Sequence, residues 1–313
     1  MQTSFLRLLA LALPLALAAC GGGTVDSALT PARVIAFGDG FADLGQEGAR
    51  YTINDGSVNH WLQYLAESYG LTIASSASGG LAYGRGNARV NTLPDAGGRS
   101  DTLTVKQQVD SFLAAGAPSA QDLVVLAAGT ADVVAEAQAV LTGSQTEDQM
   151  LANLAQAGID LAAQARRMVE AGASHVVVVG PYNLGRSAWA QQLDRASLLE
   201  AASSRFNLKL LVSLADLGET VLYVDASYYF NLVSASPSSY SLSNVSDLAC
   251  TSVDEGAGIG TGSGQVNSRL CTSGTLVADI DPAVYLFADR VYFTPAAQRL
   301  FGAYAYDKVH ARW

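Results

Sequence analysis

Few residues in this 313-residue chain have the type and setting to do chemistry. The first group follows Val34-Ile35-Ala36-Phe37, which runs straight into Gly38-Asp39-Gly40. Four apolar residues closed by glycine and aspartate read as a buried strand ending in a tight strand-to-helix turn. In open α/β sheets chemistry collects just past the carboxyl ends of strands, so Asp39 and Gly40 are candidate ligand-binding residues. Asp39, Asp43 and Asp289 would together supply an acidic cluster for a cation. A turn-initiating aspartate, a helix cap and a loop-closing residue is the better reading of the same three. The three histidines, His60, His175 and His310, have no paired spacing, so no metal site and no cofactor is expected. His60 precedes a helical stretch, and Ser75, Ser76 and Ser78 crowd a loop further on. A serine from that loop activated by His60 is one route to an ester-cleaving nucleophile. Solvated serines and a structural histidine are the plainer reading.

The stretch Val34 to Gly45 resembles the first block of the GDSL (SGNH) esterase and lipase family, and the likeness continues in order over residues 33–309. Gly80 to Val90 is similar to the family's second block, Ala127 to Val133 to its third, and Tyr285 to Thr294 to its last. The form is nearest to the enzymes found alone or as passenger domains of bacterial autotransporters. The resemblance implies a three-layer α/β/α, flavodoxin-like fold with a central parallel sheet, and hydrolysis of carboxylic esters. It also implies what this chain lacks. The nucleophilic serine falls on Gly40, the oxyanion asparagine on Ala131 and the catalytic histidine on Tyr292, while the oxyanion glycine falls on Gly86 and the acid on Asp289. Glycine cannot attack an ester, and a phenol with a reference pKa of about 10 is a poor base at neutral pH. Loss of one oxyanion donor typically costs about 2.7–4 kcal/mol of transition-state stabilisation. Asp132 remains in the third block, where a hydrogen-bonding role in the loop is expected. A cleft should survive, with the Gly40 and Gly86 N–H groups and the Tyr292 hydroxyl offered to a ligand and with Phe41, Tyr83, Tyr292 and Phe293 as walls.

These groups need a scaffold, and strands alternating with helices supply one. Helical spacing is evident over 59–69 and 105–115, then after Ala128 to Asp132 as far as about Leu141, over 148–171 and 187–214, and from Thr294-Pro295 to about Val309. Apolar runs at Leu123 to Ala127, His175 to Gly180 and Thr220 to Val224 read as further buried strands. The alternation predicts one parallel sheet with helices on both faces. Residues 70–103 read as a long loop over the sheet edge. Residues 234–282 break the alternation and read as a surface insertion, within which Cys250 and Cys271 should pair if the chain is exported.

Export is expected. Residues 1–19 carry a single charge, Arg7, and then a run of Leu and Ala too short to span a bilayer and stay, which reads as a signal peptide. The run ends Leu17-Ala18-Ala19-Cys20-Gly21, a lipobox pattern, so Cys20 is the expected lipidation site and residues 20–30 a tether to the domain at 31–313. Placement on the outer membrane, facing the periplasm or the cell surface, is the corresponding expectation. The formal net charge of −10 argues against nucleic acid. Three functions fit: a degenerate esterase homologue that binds an acyl or glycan ligand or an envelope partner, a working hydrolase with relocated catalytic groups, or a structural envelope protein whose contact surface is the insertion.

Overall fold

The computed structural model describes residues 28–58 and 60–313; Cys20, the leader and most of the tether lie outside them. The sheet is built from β1 (Arg33–Gly38), β2 (Asp122–Ala127), β3 (His175–Val179) and β4 (Val221–Tyr223), in that spatial order and all parallel. The register aligns Phe37, Leu126, Val178 and Tyr223 in one row across the sheet. β2 and β3 are continuous Val/Leu runs because helices cover both their faces.

The segment read as a loop over the sheet edge does more than that. The Ala36 amide donates to the Leu81 carbonyl, and the Tyr83 and Arg85 amides donate to the Ala36 and Gly38 carbonyls, so residues 81–85 run along the free edge of β1. The chain therefore leaves β1 in one direction for this edge and then crosses to β2 on the other side. A topological switch point results between β1 and β2, as the flavodoxin-like expectation requires.

One helical layer holds α1 (Trp61–Ser68), α7 (Ala226–Ala235) and α8 (Pro295–Arg312). The other holds α2 (Val105–Ala115), α3 (Thr130–Leu141), α4 (Glu147–Glu170) and α6 (Ala196–Leu214). The stretch expected to be one helix from 187 to 214 is two. Ser187 caps α5 (Ala188–Leu193), and Asp194 in the left-handed region (φ 54°) turns the chain before α6. The expected cap of the last helix is present, with Thr294 Oγ1 accepting from the Ala297 amide.

After α7 the insertion forms β5 (Asn244–Leu248), the short pair β6 (Val253–Asp254) and β7 (Gln265–Val266), and a return to β8 (Tyr285–Phe287), which runs parallel to β5. Cys250 and Cys271 are disulfide-bonded. With Ile53, Ala249 and Ala288 they form a small second core, so the insertion is packed onto the end of the domain rather than hung from its surface.

α4 and α6 make the most extensive helix contact, and it closes on Gly158. A Cβ there would overlap the Phe206 carbonyl oxygen and lie 3.0 Å from the Leu210 amide nitrogen, both backbone atoms that cannot swing aside. Alanine gains about 1 kcal/mol over glycine in a free helix, but overpacking a fixed contact costs about 1–3 kcal/mol. Gly158→Ala should therefore lower the urea midpoint, and a raised midpoint would reject the close crossing.

Candidate functional site

At the tip of β1 the carboxylate of Asp39 is fully buried. Its Oδ1 accepts from the Phe41 amide at 2.9 Å, and its Oδ2 accepts from the Gly129 and Ala131 amides at 3.0 and 3.1 Å. It therefore ties the turn after β1 to the turn that opens α3. Burial pushes its pKa up to about 6, against the pull of those amides. Three other acids do similar work. Asp43 accepts from the Gly45, Gln46 and Gly86 amides. Asp289 accepts from the Val291, Tyr292 and Ser268 amides. Asp132 Oδ2 accepts from the Val90 amide at 3.0 Å, and burial raises Asp132 to about 7 although Arg89 opposes it. Each of these carboxylates holds a loop through backbone amides, and among the described residues Asp39, Asp43 and Asp289 do not gather into one group.

The ligand-binding expectations need correction. Gly40 is buried, and a Cβ built on it would lie 2.5 Å from Tyr292 Oη and 2.6 Å from its Cζ. The tyrosine ring occupies the volume a serine side chain would need. Tyr292 is itself buried, 2% exposed, with its ring centroid 4.9 Å from that of Tyr51. Tyr51 in turn lies over Gly86, where a Cβ would overlap its ring. The Gly86 amide is spent on Asp43 at 2.8 Å and the Ala131 amide on Asp39, so neither is offered to a ligand. Of the four expected ligand contacts Gly86 lines the open cleft described below, and Asp39, Gly40 and Tyr292 are not in its wall. Of the expected aromatic walls Phe41 and Phe293, like Tyr292, are core residues, and Tyr83 is half-buried against that core. Phe41 and Phe293 meet edge to face at 5.8 Å, Phe293 stacks on Phe230 at 4.0 Å, and Tyr83 stacks on Phe37.

The relocated pair does not form. His60 is fully buried and caps α1, its Nδ1 accepting from the Leu62 amide at 3.2 Å. Its Nε2 has no partner among the described residues, and burial pushes its pKa down to about 3. Ser75 bonds to Ser78, and Ser76 to Gln46. His175 sits at the start of β3 against the Ala120 carbonyl, at the far end of the sheet from Gly40, and His310 stacks on Tyr306.

The open cleft lies beside the filled position. It encloses about 280 Å³ between the 43–51 turn, the 85–102 segment and the insertion. Its rim is braced by Glu47, which meets Arg99 and Arg269 at 3.1 Å each, while Arg99 also meets Asp101 at 3.0 Å. Asp95 accepts from the Arg99 amide and Thr102, and Asp254 from the Gly256 amide and Asn267. Two functional groups in this wall are left over. The Arg85 guanidinium has no hydrogen bond or ion pair among the described residues, and Asn87 Oδ1, on a residue held at φ 61° with its amide bonded to the Gly258 carbonyl, has no donor. Of the wall, only Gly86 and Asp43 had been singled out from the sequence. Arg85 lies within the Gly80 to Val90 block but is not one of its matched positions, and Tyr51 and the 254–269 segment carry no motif.

Three comparisons bear on the chain. No protein-family model matches it. A Pseudomonas putida protein, described as an uncharacterized protein in the trpE-trpG intergenic region, is 29% identical over 163 residues; the match spans 52% of this chain and 26% of that protein. Among solved structures, an aryl esterase of M. smegmatis aligns over 90% of this chain and 99% of its own at 16% identity and a TM-score of 0.47. A carbohydrate acetylesterase from Sinorhizobium meliloti aligns to the same extent at 15% identity and a TM-score of 0.49.

Two predictions follow from this geometry. Gly40→Ala should cost about 1–3 kcal/mol by overpacking, and it should cost less when introduced together with Tyr292→Ala; strictly additive losses in a denaturation double-mutant cycle would refute the steric coupling. For His60 the folded pKa lies below the unfolded value of 6.5. The neutral form is favoured by folding, so its contribution is full above pH 6.5 and is lost as pH falls toward 3. From pH 7 to 5 the loss is about 2 kcal/mol. His60→Asn, which keeps a capping side chain without the charge, should remove that part of the pH dependence; identical slopes for both proteins would reject it.

Proposed function

We propose that this protein is a catalytically silent, GDSL/SGNH-like binding protein of the bacterial envelope, anchored through lipid on Cys20. The single observation that carries the silent reading is the Tyr292 ring seated over Gly40, because it removes both the nucleophile and the room for one. A triad without nucleophile and base has no family route to acyl transfer. His60 cannot replace the base: it is buried, low in pKa and without a serine.

The composition of the cleft wall supports one of the two ligand classes. An acyl chain gains affinity from apolar wall, roughly 25 cal/mol per Å² buried. This wall is carboxylates, guanidiniums and amides, with Tyr51 and Ala257 as its main apolar members. A hydroxyl-rich ligand such as a glycan matches it, with sugar hydroxyls accepting from Arg85 and donating to the carboxylates of the rim.

The test is p-nitrophenyl acetate hydrolysis by the purified chain, alongside glycan-array binding. Wild type should hydrolyse no faster than buffer and bind glycans, and Arg85→Ala should weaken that binding about ten-fold or more, as expected for a lost charged hydrogen bond of about 1.5–3 kcal/mol. Gly40→Ser/Ala131→Asn/Tyr292→His should gain hydrolysis, whereas Gly40→Ser alone should gain none because Tyr292 still fills the space. Robust wild-type turnover would overturn the reading. The anchor is tested separately: Cys20→Ala should move the protein from the membrane to the soluble fraction.

A further inference from the structure

α6 carries two apolar faces where folding uses one. Leu199, Ala202, Phe206, Leu210 and Leu214 are buried on the side that packs on α4, α3 and the 184–186 turn. On the opposite side Leu208, Leu211 and Val212 are 55%, 42% and 64% exposed, and Ala215 continues the row just past the helix end. The spacing i, i+3, i+4, i+7 makes them one contiguous stripe rather than scattered singles. Ile159 is exposed on α4, one residue on from the Gly158 crossing with α6. Arg205 and Lys209 flank the stripe, and neither has an ion-pair partner among the described residues. Exposed leucine and valine bordered by free cations is the pattern of a surface that rests on an anionic leaflet.

The position of the tether makes that contact reachable. The amides of Ala28 and Leu29 donate to the carbonyl of Trp313, and the Trp313 ring packs edge to face on His175, the first residue of β3, at 5.0 Å. The described chain therefore begins at the amino ends of the strands. α6 runs back to that same end, since a short turn joins it to β4 and the Val176 amide bonds to the Thr220 carbonyl there. From Cys20 to Ala28 is eight residue steps, which reach at most about 28 Å at full extension. The cleft lies past the opposite, carboxyl ends of the strands.

We infer that the outer face of α6, through Leu208, Leu211 and Val212 with Arg205 and Lys209, docks on the membrane leaflet that holds the Cys20 lipid, and that this turns the glycan-binding cleft away from the bilayer. The inference rests on the lipid anchor proposed above. Docking by so few side chains is weak alone; the anchor makes it effective by keeping the face within reach of the surface.

The experiment uses the full-length chain reconstituted into phosphatidylcholine/phosphatidylglycerol vesicles. An environment-sensitive fluorophore is placed on Val212→Cys or, as a cleft-rim control, on Glu255→Cys. Vesicle flotation reports the anchor independently. The expected result is co-flotation of both, with blue-shifted emission and several-fold stronger quenching by brominated lipid at position 212 than at 255. Leu208→Ser/Leu211→Ser should abolish the shift at 212 while flotation persists. Flotation without a shift at 212, or equal quenching at both positions, overturns the docking and leaves the anchor standing. A shift that appears without vesicles and grows with protein concentration overturns it in favour of a second copy on the same face. Failure to float overturns the anchor, and the docking with it.

Discussion

Two atoms cannot share one volume, and at the tip of β1 that constraint settles the character of the site. A side chain at position 40 and a tyrosine at position 292 compete for the same space, 2.5 Å from the phenolic oxygen. The glycine is therefore not a mere deletion of chemistry. It is the complement of the Tyr292 ring, and the ring is held by Tyr51, which in turn covers Gly86. Positions 40, 292, 51 and 86 are thus joined in one packed contact.

Around this contact the structure keeps a frame of buried carboxylates. Asp39, Asp43, Asp132 and Asp289 lie almost wholly out of water, and each is met by backbone amides from another loop. Burial raises the pKa of each because the charged form pays for desolvation. In an enzyme such shifts are a signature of acid–base work. Here every one of these acids is committed to closing a turn, so the same electrostatic signature marks architecture.

Much of the fold was legible because parallel strands buried on both faces are continuous apolar runs. Leu123 to Ala127 and His175 to Gly180 admit few other readings. The break at Asp194 was not legible, since a single left-handed residue interrupts a helical pattern without altering its periodicity. The edge pairing of residues 81–85 was hidden by glycines that lack strand propensity. At the site, residue identity showed what was missing but not which way the remaining side chains point. Phe41, Tyr83 and Phe293 looked like cleft walls because aromatic residues serve equally as core. The actual cleft joins positions 43 to 269 through three loops, and no local spacing encodes such a meeting.

The two hydrogen bonds from Ala28 and Leu29 to the Trp313 carbonyl bring the beginning and end of the described fold together beneath the sheet. A bead, dye or fusion partner joined to the carboxyl terminus would thus hang on the same side as residue 28, leaving the mouth between the 85–102 segment and the disulfide-bonded insertion unobstructed. The end by which this molecule is most easily held is the end farthest from its open cleft.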